Sequence, residues 1–157
     1  MSALRPKAIV CHESASRWGD AAAIRGWHRA RGFSDIGYHA VVLNGRRGSS
    51  LRYLRVLDGK IEPGRPESQQ GAHCQAGGMN RRALGVCLVG VPGHDGYPTA
   101  RQLDALVHLL ATWCRRHGIK PEAITQHSDH EPGKPLCASL NMGEVRRRVR
   151  ERLEVQR

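Results

Sequence analysis

Apolar positions along the 157-residue chain fall into short clusters separated by turn-forming residues. Ala8 to Cys11 (AIVC) is a compact apolar run that predicts a buried strand ending at His12. Asp20 is placed to cap a helix running to about Arg31, with Gly32 stopping it and Ile24, Trp27 and His28 on one face. Tyr38 to Leu43 (YHAVVL) reads as a second strand, and NGRRGSS after it as a turn. Leu51 to Leu57 (LRYLRVL) alternates apolar and basic residues, the pattern of a half-exposed strand. Asp58-Gly59 then predicts a hairpin turn into a short strand at Ile61. Glu62 to Asn80 is rich in Pro and Gly and reads as loop. Leu84 to Val89 (LGVCLV) is nearly continuous apolar, as in a central strand covered on both faces. Thr99 and Gln102 form a capping box. Behind them Leu103, Leu106, Leu110 and Trp113 keep helical spacing to about Gly118. Pro121 to Gln126 leads into the polar loop HSDHEPGKPLC, and Asn141 with Glu144 starts a last helix through Leu153.

The order β, α, several β, α, loop, α predicts one α/β domain over residues 1–157, with a mixed central sheet flanked by helices. A length of 157 residues allows one sizeable core and little more. Composition then adds charge. Against 14 Asp and Glu stand 25 Lys and Arg, a formal net charge of +11. Such a surface attracts polyanions, whether nucleic acid, cell-wall polymer or lipopolysaccharide, and charge alone does not choose among them. Part of the excess is concentrated in Arg146, Arg147, Arg148, Arg150 and Arg152, which fit either a contact surface or a solvated helix face. The five cysteines are odd in number and irregularly spaced, unlike a secreted disulfide framework. The N-terminal segment lacks the apolar run of a signal peptide, and no stretch approaches the length needed to span a membrane. The expectation is a chain made in the cytoplasm, and a monomer.

Zinc favours His nitrogen and Cys sulfur, and a catalytic zinc site uses three protein ligands and keeps the fourth position for water. His12 follows a buried strand, so its backbone is rigid. His127 and Cys137 flank a Pro/Gly-rich loop able to bend two ligands toward one point. Each residue singly has a commoner structural explanation. His130 forms an HxxH with His127 and competes with it for the ligand role. Spacing alone leaves the trio open.

Five segments in order resemble the type 2 N-acetylmuramoyl-L-alanine amidase family, which includes phage endolysins, cytoplasmic anhydromuramyl-peptide amidases and animal peptidoglycan recognition proteins. They are IVCHESAS, IRGWHRARGFSDIGYH, DGKIEPGRPESQQGAHCQAGGMN, LGVCLVG and QHSDHEPGKPLC. The resemblance implies a Zn2+ enzyme that cuts the amide between the lactyl group of N-acetylmuramic acid and L-alanine in peptidoglycan. It implies His12, His127 and Cys137 as metal ligands, with His127 preferred over His130 because it directly follows ITQ. It implies Tyr38 as a catalytic residue near the attacking water and Lys134 as a stabiliser of transition-state charge. Lys134 stands three residues before Cys137, where the family places its lysine two before. His73, in GAH, is implied to contact substrate, and His39 to be structural. Cys87 and Val89 stand where the cytoplasmic branch carries a catalytic Glu, so that acid is absent. The match to phage endolysins implies action on the cell wall after holin-type export or lysis, with the basic C-terminal helix touching the anionic envelope. Two other readings remain: a non-catalytic peptidoglycan-binding module, which the presence of Cys137 and Tyr38 disfavours, and a basic protein that also binds polymerase or nucleic acid. The latter lacks a helix-turn-helix, zinc-finger or RNA-binding signature.

Overall fold

The computed structural model describes residues 2–134 and 136–156. Five strands form one sheet: β1 (Ala8–Glu13), β2 (Ala40–Arg46), β3 (Tyr53–Pro63), β4 (Ala83–Leu88) and β5 (Ile124–Gln126). Their order is β3-β2-β4-β1-β5. β2, β4, β1 and β5 are parallel, and only the edge pair β2–β3 is antiparallel. The expected mixed sheet flanked by helices is therefore present.

Three helices cover it. α1 (Ala21–Ala30) starts at Asp20, whose Oδ1 accepts from the Ala23 amide at 2.8 Å. α2 (Ala100–His117) starts at the full Thr99–Gln102 capping box and stops at Gly118, with φ +65°. α3 (Met142–Val155) starts at Asn141. Period-2 alternation sorts β2 and β4 between two cores, while the second face of β1, with Ala8 and Val10, packs in a small third cluster with Ala83. Ile9, Cys11, Val42, Leu84, Val86 and Leu88 pack under α2 and α3 with Leu106, Leu110 and Trp113. Val41, Leu43, Cys87 and Val89 face α1 with Ile24 and Ile36. Gln102 is fully buried, and its amide satisfies two carbonyls, that of Val42 in β2 and that of Val89 just beyond β4. That pair of bonds fastens α2 to the sheet in one register.

Three details differ from the sequence expectation. β1 runs to Glu13, so His12 lies within the strand rather than after it. Tyr38 stands outside β2, two residues before its start. There is no hairpin turn at Asp58-Gly59; β3 continues through both residues as one long strand. Val42 pairs with Ile61 and Asn44 with Asp58, so three steps on β3 match two on β2, which is a bulge. Gly59 takes φ +84°, and a Cβ there would stand 2.7 Å from the Arg101 carbonyl oxygen. Glycine is thus required by the bulge and the close approach of α2, not by a turn.

The basic helix α3 carries little unpartnered charge. Arg147 pairs with Glu144 and Glu151, Arg148 with Asp104, and Arg150 with Glu122 at 3.0 Å. Arg146 Nε donates to the Ile124 carbonyl at 2.9 Å. No helix among the described residues is long and apolar enough to cross a membrane.

Candidate metal centre

The site forms where the parallel strands end, the usual crevice of an open α/β sheet. In the β1–β5 ladder Cys11 pairs with Gln126, so the next residues, His12 and His127, leave adjacent strands side by side. Their Nδ1 atoms are 3.2 Å apart. The loop after β5 returns through Cys137, whose Sγ is 3.8 Å from His12 Nδ1 and accepts from the Glu13 amide at 3.3 Å. All three residues are buried. His12 is 125 positions from Cys137, and the sheet register brings them together.

The protons on these rings follow from their partners. His73 Nε2 faces the Ala83 carbonyl at 3.2 Å, and a carbonyl only accepts, so Nε2 carries the proton. Burial pushes the His73 pKa down to about 3, which keeps that ring neutral. Its Nδ1 is then an acceptor, and His12 Nε2, 2.9 Å away, must donate to it. That leaves His12 Nδ1 as a bare lone pair aimed at His127 and Cys137. Burial likewise holds His12 well below its ordinary range. A relay of this kind would orient His12 as a metal-binding imidazole.

The donor set fits zinc. Tetrahedral ligands at about 2.1 Å for nitrogen and 2.3 Å for sulfur stand roughly 3.3 to 3.6 Å apart, close to the 3.2 and 3.8 Å found here. Burial raises the Cys137 thiol to about 12. A neutral thiol there has only the Glu13 amide and the His12 Nδ1 lone pair as partners, and a cation is what would ionise it.

A cleft of about 250 Å³ opens over the trio and is lined in part by Glu13, Phe33, Tyr38, His73 and Lys134. The Tyr38 ring lies tilted against two histidines, 5.1 Å from the His12 ring and 5.4 Å from His28. His28 in turn accepts from the Gly37 amide at 2.9 Å, so α1 fixes the Tyr38 approach. Burial, with the Cys87 and Cys137 sulfurs nearby, pushes the Tyr38 hydroxyl well above the usual phenol range. Lys134 is exposed at the cleft rim, its amide bonded to the Glu131 carbonyl. Its neighbour Pro135 lies outside the described residues.

His12, His127 and Cys137 converge; Tyr38 and Lys134 line the same cleft. His130 does not join them, because its Nε2 lies 2.7 Å from Thr125 Oγ1. His73 was expected at the substrate. Its edge lines the cleft, and both its nitrogens are engaged inside the protein, one of them by His12. His39 is structural as expected, held between Gln69 and Gly85. Sequence reasoning missed Glu13, the only carboxylate among the described residues lining this cleft. Burial raises its pKa from the ordinary value. A strand pattern sends Glu13 away from His12, but the chain bends at Ala15, with φ +56°, and Glu13 accepts from the Ala15 amide.

The relay gives a test within the fold. A Cβ on Gly85 would stand 2.6 to 2.8 Å from the His73 ring. Gly85→Ala should push that ring off His12, cost about 1–3 kcal/mol of stability and weaken metal affinity by about 10- to 100-fold. Competition against a chromophoric chelator reads the affinity. Unchanged affinity in a folded variant would remove His73 from the ligand's support.

The profile of the N-acetylmuramoyl-L-alanine amidase family matches residues 2–137. The endolysin of Escherichia phage T7 is 30% identical over 123 residues, 76% of this chain and 69% of that protein. The endolysin of Klebsiella phage KP32 is 34% identical over 119 residues, with the same shares. The solved N-acetylmuramoyl-L-alanine amidase LysC from Clostridium intestinale superposes with a TM-score of 0.77 at 25% identity, covering 94% of this chain and 87% of that one. A Drosophila PGRP-LB mutant in complex with tracheal cytotoxin shares the fold, at a TM-score of 0.66 and 20% identity over 88% of this chain and 78% of its own. With the profile spanning all five strands and all three converging residues, the chain belongs to the N-acetylmuramoyl-L-alanine amidase family.

Proposed function

We propose that this peptidoglycan amidase is a zinc enzyme of the endolysin type, hydrolysing the bond between the lactyl carbonyl of N-acetylmuramic acid and the amine of L-alanine. The observation that carries the reading is the convergence of two imidazoles and a thiol beneath one open cleft. His12, His127 and Cys137 are the residues to hold the ion. When bound, zinc supplies a Lewis acid and lowers the pKa of coordinated water from 15.7 to about 7.

The remaining steps belong to the chain. The sheet end fixes the ligands, and His73 holds the His12 tautomer. Glu13 is placed to take the proton released as water adds to the carbonyl carbon. Tyr38, kept protonated, donates toward the oxygen that becomes negative, and Lys134 at the rim adds a positive charge to the same region. Collapse breaks the C–N bond, and the stored proton goes to the leaving amine. The products are a lactyl carboxylate and a free L-alanine amine. Action on the wall would follow release by a holin or lysis. Envelope contact would rest on cations outside the α3 ion pairs, among them Arg152. The endolysin relatives and the intact ligand trio favour an enzyme over a non-catalytic binding module.

Digestion of purified peptidoglycan with and without chelator tests the reading. Mass spectrometry should find new L-alanine amino termini and intact glycan strands, lost on chelation and restored by zinc. Cleavage at a sugar–sugar bond, or full turnover in chelator, would overturn it.

A further inference from the structure

His127 is a wall between two cavities. Its Nδ1 faces His12, in the cleft described above. Its other face borders a second cavity of about 220 Å³, lined by Phe33, Cys74, Gln75, Asn80 and Glu131. There Cys74 Sγ, a His127 ring nitrogen and a Glu131 carboxylate oxygen all lie within 4.8 Å of one another. With Nδ1 turned to His12, the nitrogen on this side is Nε2, 3.0 Å from Glu131. That atom is buried and has no aligned hydrogen-bond partner among the described residues. Glu131 is its ion-pair partner when the ring is protonated, and a cation between the two would bind both directly.

The donors come from two parts of the chain, the turn after β5 and the segment around Cys74. Cys74 is 2% exposed and is clamped by Asn80, whose Oδ1 accepts from its amide at 2.8 Å and whose own amide donates to its carbonyl at 2.9 Å. Glu131 lies one turn beyond His127, its amide bonded to the His127 carbonyl at 3.0 Å. Thiol, imidazole and carboxylate together form a donor set for zinc or a softer divalent ion.

We propose that Cys74, His127 Nε2 and Glu131 form a second divalent-metal site, back to back with the first across the His127 ring. Its two-ion form rests on the zinc reading of the first site. Binding there releases the thiol proton of Cys74 to solvent. When Nδ1 already holds an ion, it also releases the Nε2 proton, leaving the ring as a bridging imidazolate. Removing that second proton makes the outer site the weaker one. It also changes the donor strength of His127 toward the inner ion, so metal in excess should inhibit. Glu131 and Cys74 would then tune the amidase to metal supply.

The test uses Cd2+ on the metal-free full chain, following the thiolate-to-cadmium absorbance and the cadmium retained per chain after dialysis. Wild type should fill in two steps, each adding one thiolate's absorbance. Cys74→Ser and Glu131→Gln should keep the first step and lose or weaken the second at least tenfold. Cys137→Ser should keep only the Cys74 step. One step in wild type, lost in Cys137→Ser but kept in Cys74→Ser, would overturn the second site and leave the proposed function standing. Two steps surviving in a folded Cys74→Ser variant would also overturn it. Steps that ignore Cys137 while following Cys74 would instead sink the inner zinc site.

Discussion

Replacing His12 or Cys137 by alanine is expected to abolish stoichiometric zinc binding and lower amide hydrolysis by about 1000-fold or more. The magnitude follows from what the ion contributes. Lewis-acid stabilisation of the developing charge is worth several kcal/mol, and each 1.4 kcal/mol or so is tenfold in rate. The two variants leave different damage. Without the His12 ring, His73 Nδ1 loses its donor in a buried place, a cost of about 1–3 kcal/mol in stability. Cys137→Ala removes only a weak acceptor for the Glu13 amide and should stay nearer wild-type stability. His130→Ala is the matched control, because its ring is engaged by Thr125 and sits outside the trio. Metal per chain by plasma mass spectrometry, turnover on peptidoglycan and far-UV circular dichroism together decide the matter. Zinc retained in His12→Ala but lost in His130→Ala would reassign the ligand.

Why some of this was readable in advance is a matter of range. Asp20, Thr99, Gln102, Gly118 and Asn141 act on their own helix ends through bonds spanning three or four residues, so a local pattern reveals them. The apolar runs of β1 and β4 are continuous because both strands are interior and parallel, with helices on both faces. The Asp58-Gly59 bulge was missed because the same dipeptide serves hairpin turns; what decides is β2 alongside and α2 behind, both distant in sequence. For the metal trio, no compact spacing exists. His12 and His127 meet through the β1–β5 register, and Cys137 through a loop return, so only the ordered family segments pointed to all three. Cys74 and Glu131 had no such guide. Their meeting at His127 is a property of the fold alone.

The role of Tyr38 is where local chemistry constrains the mechanism most. Its hydroxyl lies in a buried setting beside the Cys87 and Cys137 sulfurs, and every one of those influences disfavours the phenolate. The sign matters: a phenol held above its ordinary range is a donor throughout the neutral region. Tyr38→Phe should therefore lower kcat by roughly 100-fold, the usual cost of one donor to a developing oxyanion. It should leave zinc stoichiometry intact, since no ring nitrogen or sulfur of the trio is touched. KM should move little, because the donor acts on charge that appears only as the carbonyl is attacked. The acid limb of the pH–rate profile should also keep its position, since a phenol held above its ordinary range does not titrate on that side. If the variant instead shifted that limb, proton transfer would run through the phenol. If it lost zinc with its activity, Tyr38 would be a support for His12, on whose ring it packs at 5.1 Å. A kcat loss without either change is the signature of a hydrogen bond spent on the transition state alone.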